Sequence, residues 1–196
     1  MARLREGRLG GPLCAVVLAT ALLGFGAPAH ADKIDDAQAA FGDFREEEAL
    51  KLLNEVVAES ADNPQLMATA LFNRGEVQAW LRKTDNAIAD FTAALAIQKD
   101  PGERALTLVA RAEAYGRKNM SAEAIADYDA SLKLAPGQTG VLTARGNLHQ
   151  KIGNTPAALA DFEAELKLRP TYNKALAGRA LILNLPLPPD PGAGRY

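Results

Sequence analysis

Four arginines and three aspartates are the residues of this chain whose spacing most invites a chemical reading. Arg74, Arg111, Arg145 and Arg179 recur along the sequence, and Asp90, Asp127 and Asp161 come after the first three of them, each 16 residues on. A guanidinium offers a planar fork of N–H donors that matches a carboxylate in two parallel hydrogen bonds. Such a series serves either as a charged stripe for a ligand or as a ladder of internal ion pairs that fixes packing register. The arginines stand beside the small residues Gly75, Ala112, Gly146 and Ala180, where helices pack closely, so the ladder is the expected use. Arg145→Ala is then expected to lower thermal stability.

Other chemistry is sparse. Past the first 31 residues the only histidine is His149, and no carboxylates accompany it at metal-ligand spacing. Glu46, Glu47 and Glu48 form a charge run at a helix start, where the helix dipole favours acids. There is no Gly-x-Ser-x-Gly elbow and no glycine loop to cradle a phosphate. The single cysteine, Cys14, precedes most of an apolar run near the N-terminus. Neither an enzyme nor a bound metal or cofactor is expected.

That N-terminal stretch reads as a secretory signal peptide over residues 1–31. Arg3, Arg5 and Arg8 make a basic start, Leu13 to Phe25 is apolar, and Ala29-His30-Ala31 is a small-x-small cleavage site. Cleavage would leave a chain beginning at Asp32, without cysteine and so without disulfides. Of 22 basic and 24 acidic residues, the leader takes Arg3, Arg5, Arg8 and Glu6, leaving 19 and 23. No basic block survives, which argues against nucleic acid and against anionic membrane surfaces as partners. The expected location is periplasmic or secreted, with no membrane insertion after cleavage.

The elements that must position the ladder are helices. Ala87-Ile88-Ala89-Asp90-Phe91, Ala124-Ile125-Ala126-Asp127-Tyr128 and Ala158-Leu159-Ala160-Asp161-Phe162 are nearly one phrase, and the last two copies are 34 residues apart. A fixed period of that length marks a stacked supersecondary unit. Apolar periodicity is helical nearly throughout, and no stretch sustains the alternation of a strand. Lys83-Thr84, Asn119-Met120-Ser121 and Gly153-Asn154-Thr155 read as turns inside units. Asn63-Pro64, Asp100-Pro101, Ala135-Pro136 and Arg169-Pro170 read as ends of second helices. The units are 68–101, 105–138 and 139–172, with 102–104 as an insertion. A degenerate pair spans 33–63 and a closing helix spans 173–185. The segment 186–196, rich in proline and glycine, reads as a disordered tail.

This pattern resembles the tetratricopeptide repeat family. Small residues fall at position eight (Gly75, Ala112, Gly146) and twenty (Ala87, Ala124, Ala158), and an aromatic at twenty-four (Phe91, Tyr128, Phe162). Glu165 departs from the small residue wanted at position twenty-seven, and Gln78 and His149 from the aromatic at eleven. The resemblance implies an all-α, right-handed solenoid whose first helices line a concave groove. The groove residues it implies are Phe72, Asn73, Glu76, Trp80, Leu106, Val109, Glu113, Arg117, Asn147, Gln150, Lys151 and Lys174. Trp80 and Phe72 read equally as groove anchors and as core. Some family members clamp C-terminal carboxylates; Asn73 fits that clamp, but Leu106 and Ala110 stand where Lys and Arg are wanted. The function implied is a non-catalytic adaptor that binds a protein or peptide in the cell envelope. The alternative is a structural subunit that self-associates or assembles through its convex face or tail.

Overall fold

The computed structural model describes residues 29–186, with side chains from Asp32 onward. Most of the predicted leader (1–28) and nearly all of the predicted tail (187–196) lie outside the described residues. Among the described residues there are nine helices and no strand: α1 (Ala29–Gly42), α2 (Glu46–Glu59), α3 (Pro64–Trp80), α4 (Thr84–Ile97), α5 (Pro101–Arg117), α6 (Ser121–Leu134), α7 (Val141–Lys151), α8 (Thr155–Leu168) and α9 (Asn173–Leu183). They pack as α1 on α2, α3 on α4, α5 on α6 and α7 on α8, each pair leaning on the next, with α9 closing the stack. The predicted cleavage site Ala29-His30-Ala31 forms the first turn of α1.

Two prolines open helices rather than close them. Pro64 and Pro101 are the first residues of α3 and α5, where a missing N–H costs nothing. Asn63 and Asp100 cap these helices by accepting from the Leu66 and Glu103 N–H groups at 3.1 and 2.9 Å. The insertion 102–104 is therefore absorbed as helix in the first turn of α5.

The four hairpin turns are built alike. Phe44, Arg82, Asn119 and Gly153 each adopt positive φ two residues past a first helix. In each case the next N–H bonds back six to one: Arg45 to Ala40, Lys83 to Gln78, Met120 to Tyr115 and Asn154 to His149, at 2.8 to 3.0 Å. The pair α1–α2 thus shares the turn of the regular units, although its sequence carries little of their pattern.

Small residues and rings interlock. A Cβ on Gly75 would lie 2.6 Å from the Phe91 ring, and one on Gly146 would lie 2.9 Å from Phe162. A Cβ on Gly178 of α9 would lie 2.4 Å from the same Phe162 ring, so this ring is wedged between two successive units. Phe91 and Phe162 are fully buried.

The arginines form the ladder. Arg74 donates through Nε and Nη2 to both oxygens of Asp90 at 2.7 Å. Arg111 holds Asp127 at 2.7 and 2.8 Å, and Arg145 holds Asp161 at 2.9 and 2.5 Å. The remaining Nη1 reaches the second helix of the preceding pair, at Asn54, Thr92 and Asp129 respectively. Each guanidinium therefore joins three helices: its own, its partner and one from the unit before.

Glu165 has a physical reason to depart from the small residue at its position. It is completely buried, accepts from the Gly140 N–H at 2.8 Å and from Arg169 Nε at 2.8 Å, and so ties down the linker before α7. Gly140 needs this anchor because it turns the chain at φ 92°. Ser131, one unit earlier, does related work by donating to the Ala105 carbonyl at 2.9 Å.

Candidate functional site

Three pairs of neighbouring first helices approach one another directly, α1 to α3, α3 to α5 and α7 to α9, and no two second helices come as close. The first helices therefore lie on the inner side of the curve. Here the structure gathers residues from three of them. Glu76 on α3, Glu113 and Arg117 on α5, and Lys174 on α9 interact electrostatically, with the Tyr128 phenol of α6 behind them. Arg117 pairs with Glu113 at 3.6 Å. Glu76 has no hydrogen bond or ion pair among the described residues.

Burial sets the electrostatics. It pushes the Glu76 carboxyl up to about 6; the Glu113 charge adds to that and Arg117 opposes it. Burial raises Glu113 as well, while Arg117 and Lys174 pull the other way. The Tyr128 phenol is raised by the same cause, with Glu113 second. Glu76, the carboxyl of this set without an ion pair among the described residues, suits a hydrogen-bond-donating group.

The other predicted groove residues divide by what they touch. Phe72 lies 5.9 Å from Phe91, ring centre to ring centre, and forms wall rather than free surface. Val109 packs beside the cluster of Ala112, Ala124, Tyr128 and Val141. Asn73 is engaged at both ends, donating to the Thr69 carbonyl at 2.9 Å and accepting from Gln38 of α1 at 3.1 Å. Lys151 donates to Asn119 at 2.5 Å, in the turn of the preceding unit. Leu106 and Gln150 are half-buried; Asn147 and Lys174 are exposed.

Trp80 is partly packed and partly exposed. It sits edge-on to Phe41 of α1 with centroids 6.1 Å apart, its indole N–H reaches Glu46 at 3.2 Å, and it stays 40% exposed. Gln38, Phe41 and Tyr128 were not legible as parts of this side. The first two lie in the pair without a repeat signature, and Tyr128 belongs to the second-helix phrase. The register of Tyr128 next to position nine of α5 was the one available signal.

Among the described residues no cluster of His, Cys, Asp and Glu is arranged to hold a metal ion. None of their helices is long and apolar enough to cross a membrane. His149 is half-buried with Nδ1 unpartnered.

Residues 105–138 match the family model of the tetratricopeptide repeat, with the same bounds as the second unit read from the sequence. The fold is the α-helical solenoid of that class. A tetratricopeptide repeat protein from Parabacteroides merdae superposes with a TM-score of 0.71 at 24% identity, over 78% of this chain and 58% of that one. YrrB, described as a TPR protein with an unusual peptide-binding site, gives 0.65 at 17% identity, over 81% and 84%. The first TPR of Spaghetti (RPAP3), solved with the HSP90 peptide SRMEEVD, gives 0.55 at 26% identity, over 60% and 93%. No curated protein sequence matches the chain.

Proposed function

We propose that this protein is an exported, non-catalytic adaptor that holds a peptide or partner helix along its first helices. One observation carries the reading. Arg74, Arg111 and Arg145, their aspartates and the repeated aromatics are consumed in internal packing, while the inner side bears an unrepeated set of half-exposed groups around Glu76, Glu113 and Arg117. Peptide binding by YrrB and by the Spaghetti repeat domain supports the use of such a surface. Export rests on the basic, apolar and small-residue succession of residues 1–31.

The test is crosslinking and recovery of partners from the cell envelope with the native chain and with an Asn147→Ala, Arg117→Glu variant. Partners lost in the variant, with folding intact, support the groove. Partners kept by the variant but lost on deleting 186–196 assign the contact to the tail and overturn the groove. An intact mass beginning at Asp32 in the exported protein supports cleavage; retention of residues 1–31 overturns it.

A further inference from the structure

Charge is graded along the array. The first pair with its linker, residues 32–63, carries ten acids against three bases. Residues 64–140, which hold α3 to α6, carry nine of each. Residues 141–186, which hold α7 to α9, carry three acids against six bases. The two ends of the described stack are therefore opposite in sign, with a neutral body between them. Such a field orients encounters between molecules and is screened by salt over about 10 Å at 0.1 M.

Neither end neutralises itself. At the first pair, Lys33 is held by Glu55 and Glu59 at 3.3 and 2.9 Å, and Arg45 by Asp43 and Glu48 at 3.1 and 2.6 Å. Asp35 and Asp36 on α1 are exposed and have no ion pair among the described residues. At the other end Lys167 of α8 is exposed and likewise unpaired. Its counterpart 34 residues earlier, Lys133, lines the cleft between α6 and α7. Lys167 therefore marks the side on which a further unit would stack. Apolar groups are exposed at both ends too, where an array ordinarily shows water a polar outer face. Leu181, Leu183 and Leu185 are 67%, 45% and 48% exposed, and Phe44 in the α1–α2 turn is 74% exposed.

We propose that this protein stacks head to tail on a second copy of itself, with the α8–α9 end of one molecule seated on the α1 end of the next. Asp35 and Asp36 then meet Lys167, and the α9 leucines leave water against the exposed Ala39 and Phe44. A second copy is the occupant because it supplies both complements at once: an acidic surface for the basic end and a basic surface for the acidic one. The contact is heterologous, so each molecule keeps one free end and chains grow unless the rotation closes a ring. Glu76 and Glu113, on α3 and α5, stay clear of the junction.

Sedimentation velocity of the full chain is the test. Mass should rise with protein concentration, and association should weaken about tenfold as salt rises from about 0.01 M to about 1 M, where the screening length falls from about 30 Å to about 3 Å. Two variants break opposite ends: Asp35→Lys with Asp36→Lys, and Lys167→Glu with Leu183→Asp. Each alone should stay monomeric with the native circular dichroism spectrum. Mixed, they should form a dimer and nothing larger, because each variant keeps one intact end. A native chain that stays monomeric, association indifferent to salt, or continued association of either variant alone overturns the proposal. So does a mixture of the folded variants that stays monomeric, and so does association that appears only after deletion of 187–196.

Discussion

Arg145 and Arg179 occupy the same place in successive units, yet their energetic surroundings are unlike. Arg145 is tied to Asp161 and Asp129 and joins three helices; hydrogen bonds to Asp161 above all hold its guanidinium more strongly protonated than usual. Among the described residues Arg179 Nε is buried without a hydrogen-bond partner, and Leu183 and Leu185 nearby are half exposed. The difference lies in the next helix: Arg145 has α8 to pack against, and Arg179 sits on α9, the last helix among the described residues. A stacked array satisfies each unit with its neighbour, so its terminal helix is left with an interior side chain and no interior.

Five substitutions probe that contrast. The largest effect is expected at Phe162, whose ring fills the space beside both Gly146 and Gly178. Phe162→Ala should cost about 3–5 kcal/mol in urea unfolding monitored by circular dichroism, loosening α9 together with α7–α8. Next comes the ladder. Arg145→Ala strands the buried Asp161 carboxylate and should cost about 2–3 kcal/mol, whereas Arg179→Ala should stay within about 0.5 kcal/mol. Equal losses at the two sites would erase the distinction between inner and terminal rungs.

The next substitution concerns pH. The folded value of Glu76, about 6, lies above its ordinary 4.5, so the folded state binds this proton more tightly than the unfolded chain does. Stability from this group is therefore greatest below pH 4.5 and falls as pH rises towards 6. Glu76→Gln should flatten that decline and raise stability at pH 7 by about 1 kcal/mol. Glu113, raised by burial and opposed by Arg117, leaves a smaller residual slope. An unchanged stability profile from pH 4 to 7, measured by thermal melts, would show that Glu76 is well solvated. The smallest effect is at Arg82, held at φ 62° in a turn. Arg82→Gly removes a left-handed strain and adds unfolded-state entropy, for a net gain of about 0.5 kcal/mol by the same unfolding measurement.

The fold was legible because its determinants are local and repeated. The 16-residue Arg–Asp interval, the small residues beside the arginines and the aromatic after each aspartate specify which faces meet, and the structure joins them that way. Pro64 and Pro101 show the limit of reading a residue alone. Proline reports a helix boundary, and only the capping bonds from Asn63 and Asp100 reveal that a helix begins there. The inner side was less legible. Repeat position could nominate Glu76 and Glu113, but not that Asn73 and Lys151 are already engaged by Gln38 and Asn119 from other helices.

Spacing along the chain was enough to specify an all-α array of stacked hairpins and the pairing of its charged ladder, since both arise from periodic local contacts. Packing in three dimensions was needed to show which of the nominated residues remain unengaged, how burial raises the carboxyls of Glu76 and Glu113, and that Arg179 Nε finds no partner among the described residues. Those outcomes depend on desolvation and on neighbours brought together across units, and neither is written in the spacing of one repeat.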